Sequence, residues 1–88
     1  MQKYLGEFAG TAVFLYVILA TGNPLAVGAT LALLILLLTG VSGGHVNPAV
    51  SIAMAAAGQL PVSDLMPYIL CQILGGLVGL ELYKRFKL

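Results

Sequence analysis

The sequence predicts an all-α membrane protein with three transmembrane helices and one re-entrant half-helix. Of its 88 residues, 60% are hydrophobic and only 8% are charged, and the mean hydropathy is +1.05. A soluble domain of this size needs a larger charged surface. Most of the apolar stretches are long enough to cross a bilayer, and turns containing Gly or Pro separate them. We therefore expect a multi-pass integral membrane protein.

The first two predicted helices cover residues 4–21 and 25–41. The first is about 27 Å long at 1.5 Å per residue, and the turn at Gly22-Asn23-Pro24 ends it. It is too long for the apolar core of a signal peptide and is followed by no clear cleavage site, so we expect it to be retained. The second helix is apolar on every face over residues 31–38, which suits contact with lipid or with other helices.

The half-helix is predicted over residues 48–57, and the last spanning helix over residues 64–86. Pro48 at the first helical position and Gly58 just past the end are typical of a short helix. At about 15 Å it can cross only half of a bilayer. Ser63 or Asp64 is the predicted N-cap of the last helix.

The loop before the half-helix, within SGGHVNPAV at residues 42–50, carries the functional prediction. Non-helical backbone at membrane depth is tolerated only where protein buries it or where it lines a wet cavity. Asn47 can cap the half-helix with its oxygen and donate its amide hydrogens into that cavity. The positive end of the helix dipole would lie beside it, which disfavours cations and orients a small neutral molecule. On these residues alone, a Gly-rich turn between two ordinary helices remains an alternative.

The segment SGGHVNPAVS closely resembles the first Asn-Pro-Ala loop of the aquaporin and aquaglyceroporin family. GEFAGTAVFLYV at residues 6–17 is similar to the first helix of that family, and YILCQILGGLVG at residues 68–79 is similar to the third. Family members have six spanning helices and two such loops, arranged as two inverted repeats. The resemblance implies that residues 1–88 form a single half-repeat, and this accounts for the single Asn-Pro-Ala motif.

The resemblance also implies roles for individual residues. Glu7 and Gln72 would brace the loop, although an interfacial acid and a general interhelical hydrogen bond stay open as readings of the residues alone. Val27 and Val50 would occupy positions of the selectivity filter, where they leave an apolar constriction without an arginine. The implied pore-lining set is Gly43, Gly44, His45, Asn47, Pro48, Ala49, Val27 and Val50.

The predicted function is a passive channel for water or small neutral solutes, with the pore completed by a second, inverted copy of the chain. Such a homodimer is compatible with a higher oligomer. If the terminal amine is counted with Lys3, the positive charges near the two termini differ by only about one, which permits insertion in both orientations. Two alternatives remain: a non-conducting membrane scaffold, and a fragment or designed half that needs a different partner chain.

Other classes of function are disfavoured by the sequence. No nucleophile–base pair or cofactor motif appears, so we expect neither an enzyme nor a cofactor. His45 stands without Cys or carboxylate neighbours, so we expect no metal site. A net charge of +1 provides no basic face for nucleic acid.

Overall fold

The computed structural model describes residues 1–87, and within that range it contains four helices and no strand. These are α1 (Gln2–Thr21), α2 (Pro24–Leu38), α3 (Pro48–Ala56) and α4 (Val62–Arg85). The predicted all-α class is confirmed. By length and composition, α1 and α4 can each cross a membrane.

The helix ends differ from the prediction, most of all in α2. This helix ends at Leu38, not at residue 41, because the Leu38 carbonyl accepts hydrogen bonds from the N–H groups of Val41, Ser42 and Gly43. Its 15 residues extend about 22 Å, less than the roughly 30 Å of a hydrocarbon core. The other ends shift by one or two residues: α1 begins at residue 2, α3 ends at residue 56, and α4 covers residues 62–85.

The predicted N-cap of α4 was wrong. Pro61 occupies the cap position, and none of the described side chains caps the helix. Asp64 lies inside the first turn, and its carboxylate accepts hydrogen bonds of 2.7 Å from the Lys3 ammonium and 2.7 Å from the Tyr4 hydroxyl. The side chain is therefore used by tertiary partners on α1, and the N-terminal turns of α1 and α4 lie side by side.

Helices α1 and α4 run parallel and approach closely through two glycines of α4. A Cβ atom at Gly75 would overlap the carbonyl oxygen of Phe8, and one at Gly79 would lie 2.6 Å from the carbonyl oxygen of Ala12. The contacts follow the same order along both helices, beginning with their N-terminal turns. Small residues at such crossings let backbones meet directly in membranes, where van der Waals contact drives helix association.

The chain reverses direction in α2 and then doubles back after it. A Cβ atom at Gly10 of α1 would lie 2.9 Å from Leu38 Cδ1 and 3.0 Å from Val46 Cγ1, so the end of α2 and the loop both pack against the first half of α1. A Cβ atom at Gly44 would lie 2.9 Å from Ile35 Cα. The loop therefore runs back alongside the last turn of α2 before α3 begins.

Candidate functional site

The loop that precedes α3 has an unusual backbone. Gly43 and Gly44 adopt φ values of 92° and 68°, and Val46 adopts φ 46°. A β-branched residue is strained in this left-handed region and persists there only when its surroundings hold it. Val46 is 3% exposed, and its N–H donates to Glu7 Oε1 at 2.8 Å. Nothing in the sequence indicated this conformation.

Glu7 is the centre of the contacts that hold the loop. It is fully buried, and its two carboxylate oxygens accept four hydrogen bonds. Oε2 accepts from Ser42 Oγ at 2.6 Å and from the His45 N–H at 3.1 Å. Oε1 accepts from the Val46 N–H and from Gln72 Nε2, both at 2.8 Å. One side chain of α1 therefore satisfies two loop N–H groups that no helix or strand could satisfy.

Gln72 connects this carboxylate to the half-helix. Its amide nitrogen also donates to Ser51 Oγ of α3 at 2.8 Å, and the same hydroxyl lies 2.8 Å from His45 Nδ1. Glu7, Gln72, Ser51 and His45 are all buried. The hydrogen bonds thus join α1, the loop, α3 and α4, and in a dry interior each broken bond leaves a costly unsatisfied group.

Sequence reasoning missed three members of this network: Ser42, Ser51 and Tyr68. The Tyr68 hydroxyl donates to the Ser42 carbonyl oxygen at 2.8 Å, and its ring centroid is 5.3 Å from that of His45. A hydroxyl in an apolar membrane segment needs a partner, and that was the available signal for Ser51. Its partners, however, lie on other segments that the sequence did not place.

Asn47 caps α3 as the local sequence predicts. Its backbone is extended, with φ −160° and ψ 124°, and its Oδ1 accepts from the Ala49 N–H at 2.9 Å. Pro48 follows as the first helical residue. The cap uses the amide oxygen, and the Asn47 side chain is otherwise exposed. Its NH₂ group is therefore directed away from the helix that it caps.

Two open grooves meet at Asn47. The larger, of about 550 Å³, lies along α1 and α4, and the smaller, of about 180 Å³, lies between α2 and the loop. Asn47, Val46 and Phe14 line both. Thr11 and Gln72, near the middle of α1 and α4, line the larger groove. The N-terminus of the half-helix is thus at about mid-height of the two long helices. Phe14 was not among the predicted residues.

The other predicted pore residues are distributed unevenly around these grooves. Gly44, His45 and Val50 line the smaller groove, and Pro48 lines the larger. Gly43 and Ala49 are exposed beside them. Val27 is half-buried in the first turn of α2, one turn before Leu31, which lines the smaller groove.

Among residues 1–87, no cluster of three His, Cys, Asp or Glu side chains could hold a metal ion.

Comparison with known proteins shows a clear similarity. The family model described as Major intrinsic protein matches residues 20–87. Glycerol uptake facilitator protein-like 6 of Lactiplantibacillus plantarum is 38% identical over 95 aligned residues, which cover 98% of this chain and 44% of that protein. Aquaporin-8 of Mus musculus is 37% identical over 96% of this chain and 36% of its own length. Aquaporin Z of Brucella melitensis is 45% identical over 66% of this chain and 25% of its own.

The chain therefore spans less than half the length of each of these relatives. No solved structure matches it significantly.

Proposed function

Because the chain belongs to the major intrinsic protein family, we propose that it forms one half of a passive membrane pore for water or small uncharged solutes. The observation that carries this proposal is the position of Asn47. Its NH₂ group lies where two grooves meet, at the N-terminus of a half-helix and near the middle of the long helices. Hydrogen-bond donors and a positive dipole end favour neutral acceptors over cations.

The wall around Asn47 is incomplete. Several apolar residues that line the larger groove, among them Leu19, Ile73 and Leu77, are exposed. Water and lipid tails could both enter a groove open on one side, so a defined path needs a second wall. We propose that a second copy of the chain supplies it in the opposite orientation, and that α2 is the third spanning helix.

Two observations support an inverted pair. The parallel α1 and α4 with a reversed α2 place the two ends of the described chain on opposite sides of the bundle. Inverted repeats in transport proteins are related by an axis in the membrane plane, and a copy inserted the other way has that relation. Lys3 and the terminal amine lie at one end of the bundle and Lys84, Arg85 and Lys87 at the other, so the charge bias that sets the orientation is small.

The chain offers a matched pair of variants to test the role of Asn47. Asn23 and Asn47 each precede a proline, and each caps a helix through Oδ1. Because Asp caps helices about as well as Asn, neither Asn23→Asp nor Asn47→Asp should unfold its helix. In proteoliposomes, stopped-flow light scattering should show lower water and glycerol flux for Asn47→Asp, because a carboxylate replaces the NH₂ donor. The flux of Asn23→Asp should match that of the parent. Equal flux for all three would contradict a path lined by Asn47.

Assembly is tested separately from conduction. Native mass spectrometry should detect a homodimer, and cysteines added at each terminus of a Cys71→Ala variant should both be labelled from outside intact cells. A single labelled terminus in a conducting preparation would rule out the inverted pair. A correctly inverted dimer that does not conduct would favour the scaffold. A non-conducting monomer would favour a half that needs a different chain.

A further inference from the structure

A third groove lies at the C-terminal end of α4 and shares no lining residue with the two grooves at Asn47. It has a volume of about 310 Å³ and is lined by Ala12, Val13, Tyr16, Leu82 and Phe86. Its accessible surface is apolar, because the one polar side-chain atom of the set, the Tyr16 hydroxyl, donates to the carbonyl oxygen of Phe86. The proposed pore does not use this groove.

The groove has a fixed end. Phe86 is the C-cap of α4, and its N–H donates to the Leu82 carbonyl oxygen at 2.8 Å. Together with the hydrogen bond from Tyr16, this contact anchors the backbone of Phe86 at both its N–H and its carbonyl. Phe86 is 64% exposed, and it forms the end of the groove.

Two cations are the neighbours of Phe86 in the chain, whereas a third is directed away from the groove. Arg85 is in the last turn of α4, between Leu82 and Phe86 in the chain. Lys87 Nζ lies 5.6 Å from the centroid of the Tyr83 ring. Lys84, in contrast, follows Leu82 by two positions and therefore points away from the groove, and its Nζ is 3.8 Å from Glu81 Oε1. Both residues that adjoin Phe86, at the end of the groove, thus carry a positive charge.

We propose that this groove binds one acyl chain of an anionic phospholipid whose phosphate contacts Arg85 and Lys87. Aromatic and basic side chains at a helix end are typical of the membrane interface, where basic residues attract anionic head groups. An inverted copy of the chain is a poorer occupant. It would bring the opposite end of its helix pair, and the Asp64 carboxylate there already binds Lys3 and Tyr4. The lipid proposal depends on membrane insertion but not on conduction.

The test is native mass spectrometry of the chain in detergent micelles with added dioleoyl phosphatidylglycerol or dioleoyl phosphatidylcholine. The two lipids have the same acyl chains and differ in net charge. The parent should retain phosphatidylglycerol in preference to phosphatidylcholine. Arg85→Gln should weaken phosphatidylglycerol retention about fivefold, whereas the matched variant Lys84→Gln should leave it unchanged. An equal loss for both variants would overturn the proposal, because any basic tail would then suffice.

A second variant tests the groove itself. Val13 is 48% exposed, so Val13→Trp can fill the groove without disturbing the buried packing. It should reduce the retention of both lipids, since both need the acyl site. Unchanged retention would show that the lipid does not enter the groove. Excess inorganic phosphate should not displace phosphatidylglycerol, and complete displacement would indicate a site for a free anion in place of a lipid.

Discussion

Glu7→Gln is the sharpest perturbation of the buried network. The substitution keeps the size of the side chain but replaces one acceptor oxygen by an NH₂ group. Each oxygen of Glu7 accepts one backbone N–H, Oε2 from His45 and Oε1 from Val46. In either orientation of the new amide, one of these N–H groups therefore faces a donor.

The size of the effect follows from which partners can adapt. If the NH₂ group faces the side of Ser42, that hydroxyl can rotate and accept a hydrogen bond. On the other side, Gln72 Nε2 would face another donor, and turning the amide to present Oε1 would remove the hydrogen bond that Nε2 donates to Ser51. The first orientation is therefore preferred, and the His45 N–H is left unsatisfied. An unsatisfied buried donor costs about 1–3 kcal/mol, so the loop should open about 5- to 150-fold more often.

Hydrogen exchange measured by mass spectrometry, on the chain in lipid nanodiscs, detects this opening. Peptides that cover residues 42–50 should exchange faster in Glu7→Gln, whereas peptides from the middle of α4 should change little. The matched control is Glu81→Gln, which removes a carboxylate 3.8 Å from Lys84 at an exposed position. Such surface pairs contribute about 0–1 kcal/mol, so its exchange should resemble that of the parent. Loop exchange as slow in Glu7→Gln as in the parent would refute the reasoning.

Three further predictions use other features of the structure. Gly75→Ala should lower the free energy of unfolding by about 1–3 kcal/mol, since the added methyl group would overlap the backbone of Phe8 where α1 and α4 cross. Gly28→Ala, whose methyl group meets nothing within 4 Å in the described part of the chain, should raise the free energy of unfolding by about 0.5–1 kcal/mol. Thr11→Val should leave the free energy of unfolding unchanged or raise it, because the Thr11 hydroxyl is buried without a partner among residues 1–87. Ser51→Ala, in contrast, should lower the free energy of unfolding by about 1–3 kcal/mol. If the proposed pore exists, Val27→Trp should reduce glycerol flux more than water flux.

Thermal unfolding followed by circular dichroism in detergent measures the stabilities, and proteoliposome swelling measures the fluxes. A Gly75→Ala variant as stable as Gly28→Ala would show that the helices can separate at no cost. Destabilisation by Thr11→Val as large as that by Ser51→Ala would show that the Thr11 hydroxyl has a partner. Equal reduction of both fluxes by Val27→Trp would place the residue outside a size-selective constriction.

Local signals in the sequence account for most of the elements. The apolar composition indicates the membrane class, and the two long helices follow from the length of their apolar runs. Pro48 begins the half-helix, Gly58 follows its end with φ 78°, and Asn47 caps it. These features depend on dihedral preferences and hydrogen bonds within a few residues, so the chain needs no distant partner to specify them.

Resemblance, not periodicity, pointed to the bracing roles of Glu7 and Gln72. From the residues alone, an acid near the end of an apolar helix is equally well placed at the interface. The structure buries it fully and brings to it donors that lie 35–65 residues away in sequence. No local rule connects positions so far apart.

By itself, the sequence determined the class of the protein, the presence of four helical segments and the cap of the half-helix. The tertiary structure alone decided where α2 ends, that Asp64 binds α1 and does not cap α4, and that Ser42, Ser51 and Tyr68 join the buried network. It also decided the left-handed Val46, which Glu7 holds from another helix. The physical reason is that a polar group in an apolar interior must find a partner, and the fold determines which group lies within reach.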